Sequence, residues 1–324
     1  MDDVEIADAV GRVAALVKTH YLDPPIALEL SRLLVASVAE GRYPTDPAEL
    51  AEAVTTDLQS INGDKHLRLL YHDAPVAPRI GDSDESELAA MAAWAAQTCS
   101  GVARVEHLSG NVGYLDLQPV LFPVAQCGDV ITAAMTLLAP TEALIIDLRS
   151  CIGGDPAMVA FICSYLHGPD PVQLTGLLER GRLTQSWTLP YVPGRRYGAD
   201  KPIYVLTSGK TFSGGEQLAY DLQQSQRATI VGQRTGGGAH AREGFVVHPH
   251  LEATISVARG VNPVTESNWE GTGIVPDVET STEDARNHAH KLAQLPQGSG
   301  EVPHRVNHGT VPSGAVTATE RPPV

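Results

Sequence analysis

Residues 203–222 read Ile-Tyr-Val-Leu-Thr-Ser-Gly-Lys-Thr-Phe-Ser-Gly-Gly-Glu-Gln-Leu-Ala-Tyr-Asp-Leu. An apolar run, Ile203 to Leu206, stops just before a glycine-rich segment, and a helical pattern, Glu216 to Leu222, starts just after it. Ser213 therefore falls where a buried strand turns into a helix. A turn of that kind exposes the hydroxyl and aims backbone N–H groups at whatever binds there. Gly214 and Gly215 allow close approach to the backbone. An exposed nucleophile beside donors for a developing oxyanion is what acyl transfer requires. A second reading fits the same residues, because a serine three positions before an acid (Ser213, Glu216) is also a helix-capping pattern.

Outward from this stretch the chain alternates strands and helices. Strands are predicted over 112–117, 143–148, 202–207, 229–232, 245–247 and 252–258, and helices over 129–138, 155–166 and 214–224. Such alternation predicts an α/β core with helices covering a sheet. Three helical patterns come first, over 4–19, 26–40 and 47–60, followed by a short strand from His66 to Tyr71. The expected organisation is a small helical N-terminal domain over 1–75, a linker and helix over 76–100, the core over 101–285 and a C-terminal tail over 286–324. From about residue 295 the tail is rich in Pro, Gly, Ser, Thr and His and is expected to be disordered.

The 324 residues are 43% hydrophobic, enough for one large core plus a smaller unit. A formal net charge of -15 argues against nucleic acid and anionic membrane surfaces, which need clustered Lys and Arg. No apolar run approaches the roughly 20 residues that span a bilayer. The start, Met1-Asp2-Asp3-Val4-Glu5, lacks the basic-then-apolar pattern of a leader, so a cytoplasmic location is expected. Cys99, Cys127, Cys151 and Cys163 show no paired spacing and read as buried free thiols. The triple glycine at 236–238 lacks the spacing of a phosphate loop. Histidines such as His248, His250, His288 and His290 read as solvated, and neither a metal nor a cofactor is expected.

Several segments in fixed order carry a family resemblance. They are Gly110 to Leu115, Ile146 to Arg149 with Gly153-Gly154, and Leu206 to Glu216. Ala228 to Gly232 with Thr235 to His240, and Asn268 to Gly271 through Pro276-Asp277, complete the set. Over about residues 60–280 the chain resembles the tail-specific, or carboxyl-terminal processing, serine peptidase family, in the branch that also holds interphotoreceptor retinoid-binding protein. The resemblance implies a crotonase-like (ClpP/crotonase) core of ββα units and, in this branch, a helical N-terminal domain. It implies Ser213 as nucleophile. The processing peptidases use a lysine in a Gly-Lys-Gly context as base, but the corresponding stretch here, Thr235-Gly236-Gly237-Gly238-Ala239, contains none.

Tricorn-type relatives instead pair the serine with an early histidine and a late glutamate, places that His66 and Glu270 match. The resemblance thus implies His66 as the base and Glu270 as its orienting acid. A neutral imidazole accepts the hydroxyl proton and returns it to the leaving amine. His240, just after the triple glycine, remains a rival base. Backbone N–H groups at Gly153 or Gly154, with Gly214, are expected to form the oxyanion hole. Gly236, Gly237, Gly238 and His240 are expected to approach the substrate. The implied partner is a peptide or unfolded protein bound by strand addition. A homo-oligomer is left open, and the family's usual PDZ insertion has no room before residue 110. Two other functions stay in view: binding of an apolar ligand, as the retinoid-binding relatives do, and acyl transfer that tailors a dedicated peptide.

Overall fold

A computed structural model describes residues 1–76 and 85–295 of the chain. It opens with three helices, α1 (Asp3–His20), α2 (Pro24–Ala39) and α3 (Pro47–Gln59). Each starts at an aspartate, Asp2, Asp23 or Asp46, whose carboxylate accepts N–H groups the first turn leaves free. Proline in the first turn of α2 and α3 supplies a fixed φ without wasting a donor. Their inward stripes are Ile6, Val10, Val13 and Val17, then Leu30 and Leu34, then Leu50, Val54 and Leu58.

That stripe packs against a five-stranded antiparallel sheet. Its spine is β10 (Leu251–Val261), which pairs with β9 (His240–His248), β1 (Arg68–Tyr71) and β5 (Gln173–Glu179); β6 (Arg182–Trp187) then pairs with β5. Leu67, Leu69, Val247, Leu251, Ala253 and Ile255 join the helices in one apolar cluster. The N-terminal helices thus share a core with strands from the other end of the chain.

The second sheet runs β11-β8-β7-β4-β3-β2. Its strands are β2 (Val102–Leu108), β3 (Val112–Leu117), β4 (Ala143–Asp147), β7 (Ile203–Thr207), β8 (Thr229–Gly232) and β11 (Val278–Glu279). All neighbours pair in parallel except edge strand β2, which is antiparallel to β3. Every residue of β4 is buried, as expected of a parallel strand covered on both faces. One face lies on a large core that includes residues of α5 (Val124–Leu138), α6 (Pro156–Leu166) and α7 (Gly214–Gln224). The other face packs Tyr114, Ile145, Leu206 and Val231 against Ala285 and Ala289 of α8 (Ala285–Ala293). Helix α4 (Glu85–Gln97) precedes β2.

The sequence reading is corrected in several places. β2, β5 and β6 were not anticipated, and α5 begins at Val124 rather than residue 129. α8 occupies the start of the segment read as tail, because Ala285 and Ala289 bury one stripe against the sheet. Residues 296–324, and 77–84 of the expected linker, lie outside the described residues. Cys99 is exposed, whereas Cys127, Cys151 and Cys163 are buried free thiols as read. No helix among the described residues is long and apolar enough to cross a membrane.

Asp221 of α7 fastens this helix to both neighbours. Its Oδ1 accepts from Thr175 N (2.8 Å), Thr175 Oγ1 (2.7 Å) and Asn262 Nδ2 (3.2 Å), while Oδ2 is buried without a partner. Burial raises its pKa to about 6, against the lowering effect of the Thr175 bonds. A raised carboxyl pKa favours the fold below the unfolded value, near 4, and that advantage fades as pH climbs through about 6. Asp221→Asn should therefore gain on the native protein by on the order of 2–3 kcal/mol between pH 4 and pH 7.5. Urea unfolding of both proteins at the two pH values checks this. A stability difference that does not change with pH would show that the carboxyl titrates normally.

Candidate active site

The loops after β4 and β7 leave the carboxyl ends of adjacent parallel strands, the place where open α/β sheets present ligands. Side chains lash them together. Thr211 Oγ1 donates to the Leu148 carbonyl (2.8 Å), Ser208 Oγ to the Arg149 carbonyl (2.6 Å) and Phe212 N to the Cys151 carbonyl (3.0 Å). Asp147 and Arg149 pair with each other (Nε–Oδ1 2.9 Å), and Tyr114 donates to the same carboxylate (2.6 Å), so both act as scaffold.

This lashing lays Gly153-Gly154 directly against Ser213-Gly214. A Cβ built on Gly153 would lie 3.4 Å from Ser213 Cβ and 3.8 Å from Ser213 Oγ, and one on Gly214 would lie 2.8 Å from Gly154 N. Ser213 stands at the head of α7 with φ 49° and ψ -120°, a conformation that costs a residue with a Cβ of order 1–3 kcal/mol. Among the described residues, the N–H groups of Gly154 and Gly214 donate to no atom. The four residues named from sequence for nucleophile and oxyanion hole therefore share one spot, with unspent donors beside the hydroxyl.

His66 lies just before β1 and is 5% exposed. Its ring packs on that of Phe212, the residue before Ser213, at 4.8 Å between centroids. Burial, above all, lowers its pKa to about 4, partly offset by the nearby charge of Asp64, so the imidazole is neutral at pH 7. Its Nδ1 is buried without a partner.

The expected bond from Glu270 to His66 is therefore not formed. Glu270 Oε2 accepts from Ala239 N (2.5 Å) and lies 3.8 Å from His240 Nδ1. His240 Nδ1 is itself 2.8 Å from Asp64 Oδ2. Burial would lower the His240 pKa, but the Asp64 bond and charge outweigh it and leave it raised. Reciprocally, His240 holds Asp64 below the usual carboxylate range despite its burial. Burial raises Glu270, with His240 pulling the other way. Sequence reasoning assigned Asp64 no role. The available signal was an aspartate two residues before the candidate base. The ligand atoms of Asp64, His240 and Glu270 all lie within 4.8 Å of one another, a donor set that suits a divalent cation; here the imidazole and Asp64 already satisfy each other.

The glycine loop, expected to approach the substrate, has its backbone bonded within the protein. Its N–H groups are all spent: Gly236 on the Thr211 carbonyl (3.0 Å), Gly237 and Gly238 on the Glu216 carboxylate (2.7 and 2.8 Å). Its carbonyls accept from Lys65 Nζ (2.5 Å), Gly271 N (3.1 Å) and Trp269 Nε1 (3.0 Å). It offers a substrate no free donor and instead braces the two rings beside it. A Cβ on Gly238 would fall 2.8 Å from His66 Cε1 and closer still to the Phe212 ring. Gly238→Ala should thus cost about 1–3 kcal/mol, as overpacking does. Urea denaturation tests this, and an unchanged midpoint would mean that both rings yield freely.

Residues 111–280 match peptidase family S41. The chain belongs to peptidase family S41. Residues 4–101 match the N-terminal domain that accompanies this family in eukaryotic IRBP. A carboxyl-terminal-processing protease of Synechocystis sp. is 35% identical over 78 residues, 24% of this chain and 18% of that protein. Among solved structures, a lipoprotein from Streptococcus agalactiae aligns with TM-score 0.58 at 17% identity, over 89% of this chain and 96% of the other. The photosystem II D1 C-terminal processing protease aligns with TM-score 0.52 at 16% identity, over 86% and 94%. The tricorn protease aligns with TM-score 0.55 at 13% identity, over 88% of this chain and 35% of that one. At these identities the structural likenesses describe the fold.

Proposed function

We propose that the protein is a serine peptidase that cleaves extended or unstructured polypeptides through an acyl-enzyme. The observation that carries this reading is Ser213: a strained serine at a strand-to-helix turn, set against Gly153 and flanked by the N–H groups of Gly154 and Gly214, which donate to no other atom among the described residues. Ser213 Oγ attacks the substrate carbonyl carbon while its proton passes to neutral His66. The carbonyl oxygen, now negative, is held by those N–H groups. His66 then gives the proton to the leaving amine, and a water activated by the same ring hydrolyses the ester. Burial keeps His66 unprotonated and ready to accept. Glu270 contributes from behind the His240–Asp64 pair rather than at the His66 ring. We read the parallel sheet and its helices as the crotonase-like core, supported by the parallel order β3-β4-β7-β8.

A fluorophosphonate, which reacts with activated serines, provides the test. The expected result is a single adduct that peptide mass spectrometry maps to Ser213, together with cleavage of an unstructured peptide. The absence of any adduct, with tight binding of an apolar ligand instead, would overturn the reading in favour of a binding protein.

A further inference from the structure

The proposed chemistry leaves unused a buried carboxylate next to the base. Asp64 is 1% exposed, and both of its oxygens are committed. Oδ1 accepts the backbone N–H of His66 at 2.9 Å. Oδ2 accepts the Tyr21 hydroxyl at 3.1 Å and faces His240 Nδ1 at 2.8 Å. Asn62 closes the ring: its Nδ2 donates to the Tyr21 oxygen at 2.7 Å, and its Oδ1 accepts from Asp64 N at 3.3 Å. On the other side, Thr254 Oγ1 donates to the His66 carbonyl at 2.6 Å. Residue 66 is thus pinned through both backbone groups, while its ring has no bond at Nδ1. Among the described residues no carboxylate bonds this imidazole, so its aim depends on where its backbone is held and on the Phe212 ring beside it.

We infer that Asp64 is a positioning residue for His66: it fixes the backbone of the proposed base and supplies an anion bonded to that backbone, and through it Tyr21 of the N-terminal unit and the His240–Glu270 pair act on the site. Three donors converge on this side chain, which suits a carboxylate and not an amide. Asparagine would turn an NH2 toward the His66 N–H or toward Tyr21 and His240. The negative charge matters as well. When His66 takes the serine proton, a positive ring forms in a buried place, and a fixed anion nearby stabilises it. Asp64 can have this role only if the peptidase reading holds.

The test uses the full chain and saturation kinetics of fluorophosphonate labelling, which separate the chemical step (kinact) from reagent binding (KI). Asp64→Asn should lower kinact roughly 100-fold, the scale of a misplacement of about 1 Å, with KI held within about threefold. Tyr21→Phe, which removes one donor and little volume, should lower kinact by roughly threefold to tenfold. In a His66→Ala background, Asp64→Asn should slow labelling no further, because both changes act through the same ring. Native kinact in Asp64→Asn, or an added loss without His66, overturns the positioning role. If Asp64→Asn does not fold, native kinact in Tyr21→Phe overturns it equally. A native protein that takes no label overturns the peptidase reading itself, an outcome distinct from a labelled protein indifferent to residues 21 and 64.

Discussion

Replacing Ser213 by alanine is expected to lower hydrolysis of an unstructured peptide by roughly 10⁴-fold or more, while the protein stays folded. The two effects separate because the hydroxyl carries the chemistry and the backbone carries the strain. At φ 49° and ψ -120° any residue with a Cβ is strained, and alanine keeps that Cβ. Ser213→Gly should be equally inactive and more stable than Ser213→Ala by about 1–2 kcal/mol. Peptide turnover and urea unfolding of the two variants together make the check. Activity within tenfold of native in the alanine variant would remove Ser213 as nucleophile. Equal stability of the two variants would remove the strain.

The second large effect is expected at Glu216, three residues further along α7. Its side chain is fully buried, yet four donors reach it. Ser213 N (2.9 Å) and Gly238 N (2.8 Å) meet Oε2; Gly237 N (2.7 Å) and Thr235 Oγ1 (2.5 Å) meet Oε1. This one carboxylate joins the serine turn to the glycine loop. Burial raises its pKa against the lowering effect of these bonds. Glu216→Ala would strand three backbone N–H groups out of water. At about 1–3 kcal/mol each, with partial relief from entering water, the loss should be on the order of 3–5 kcal/mol. That approaches half the stability of an ordinary domain. Fluorophosphonate labelling should fall with it, since the loop that braces His66 and Phe212 loses its anchor. A variant that unfolds within 1 kcal/mol of native in urea would show that the loop holds itself.

The parallel strands and the Ser213 turn were legible because each is local. Ala143 to Ile146 and Ile203 to Leu206 are unbroken apolar runs, and α7 keeps the bounds expected of it. The β5–β6 hairpin escaped notice for a physical reason. Its turn is Arg180-Gly181, with φ 46° and 82°, so a non-glycine residue takes a left-handed position that usually announces itself as Asn or Asp. β6 is exposed along almost its whole length and shows no alternation to read. In the site, Ser213, Gly153, Gly154 and Gly214 were found from turn chemistry. The pairing of Asp64 with His240 joins residues 176 apart, and no spacing rule picks the partner. For the same reason the sequence does not place Glu270 beside His240 rather than His66: a late acid and two candidate rings are compatible with either contact, and only the folded loops decide.

The apolar cluster that unites α1, α2 and α3 with β1, β9 and β10 has a consequence for how this chain can be divided. A cut between the two matched segments would put His66 on one fragment and Ser213 on the other. It would also strip Val247, Leu251, Ala253 and Ile255 of their cover, so the later fragment, made alone, should clump rather than refold. The helices at the front are thus no detachable accessory, and neither piece can be swapped or inherited without its counterpart.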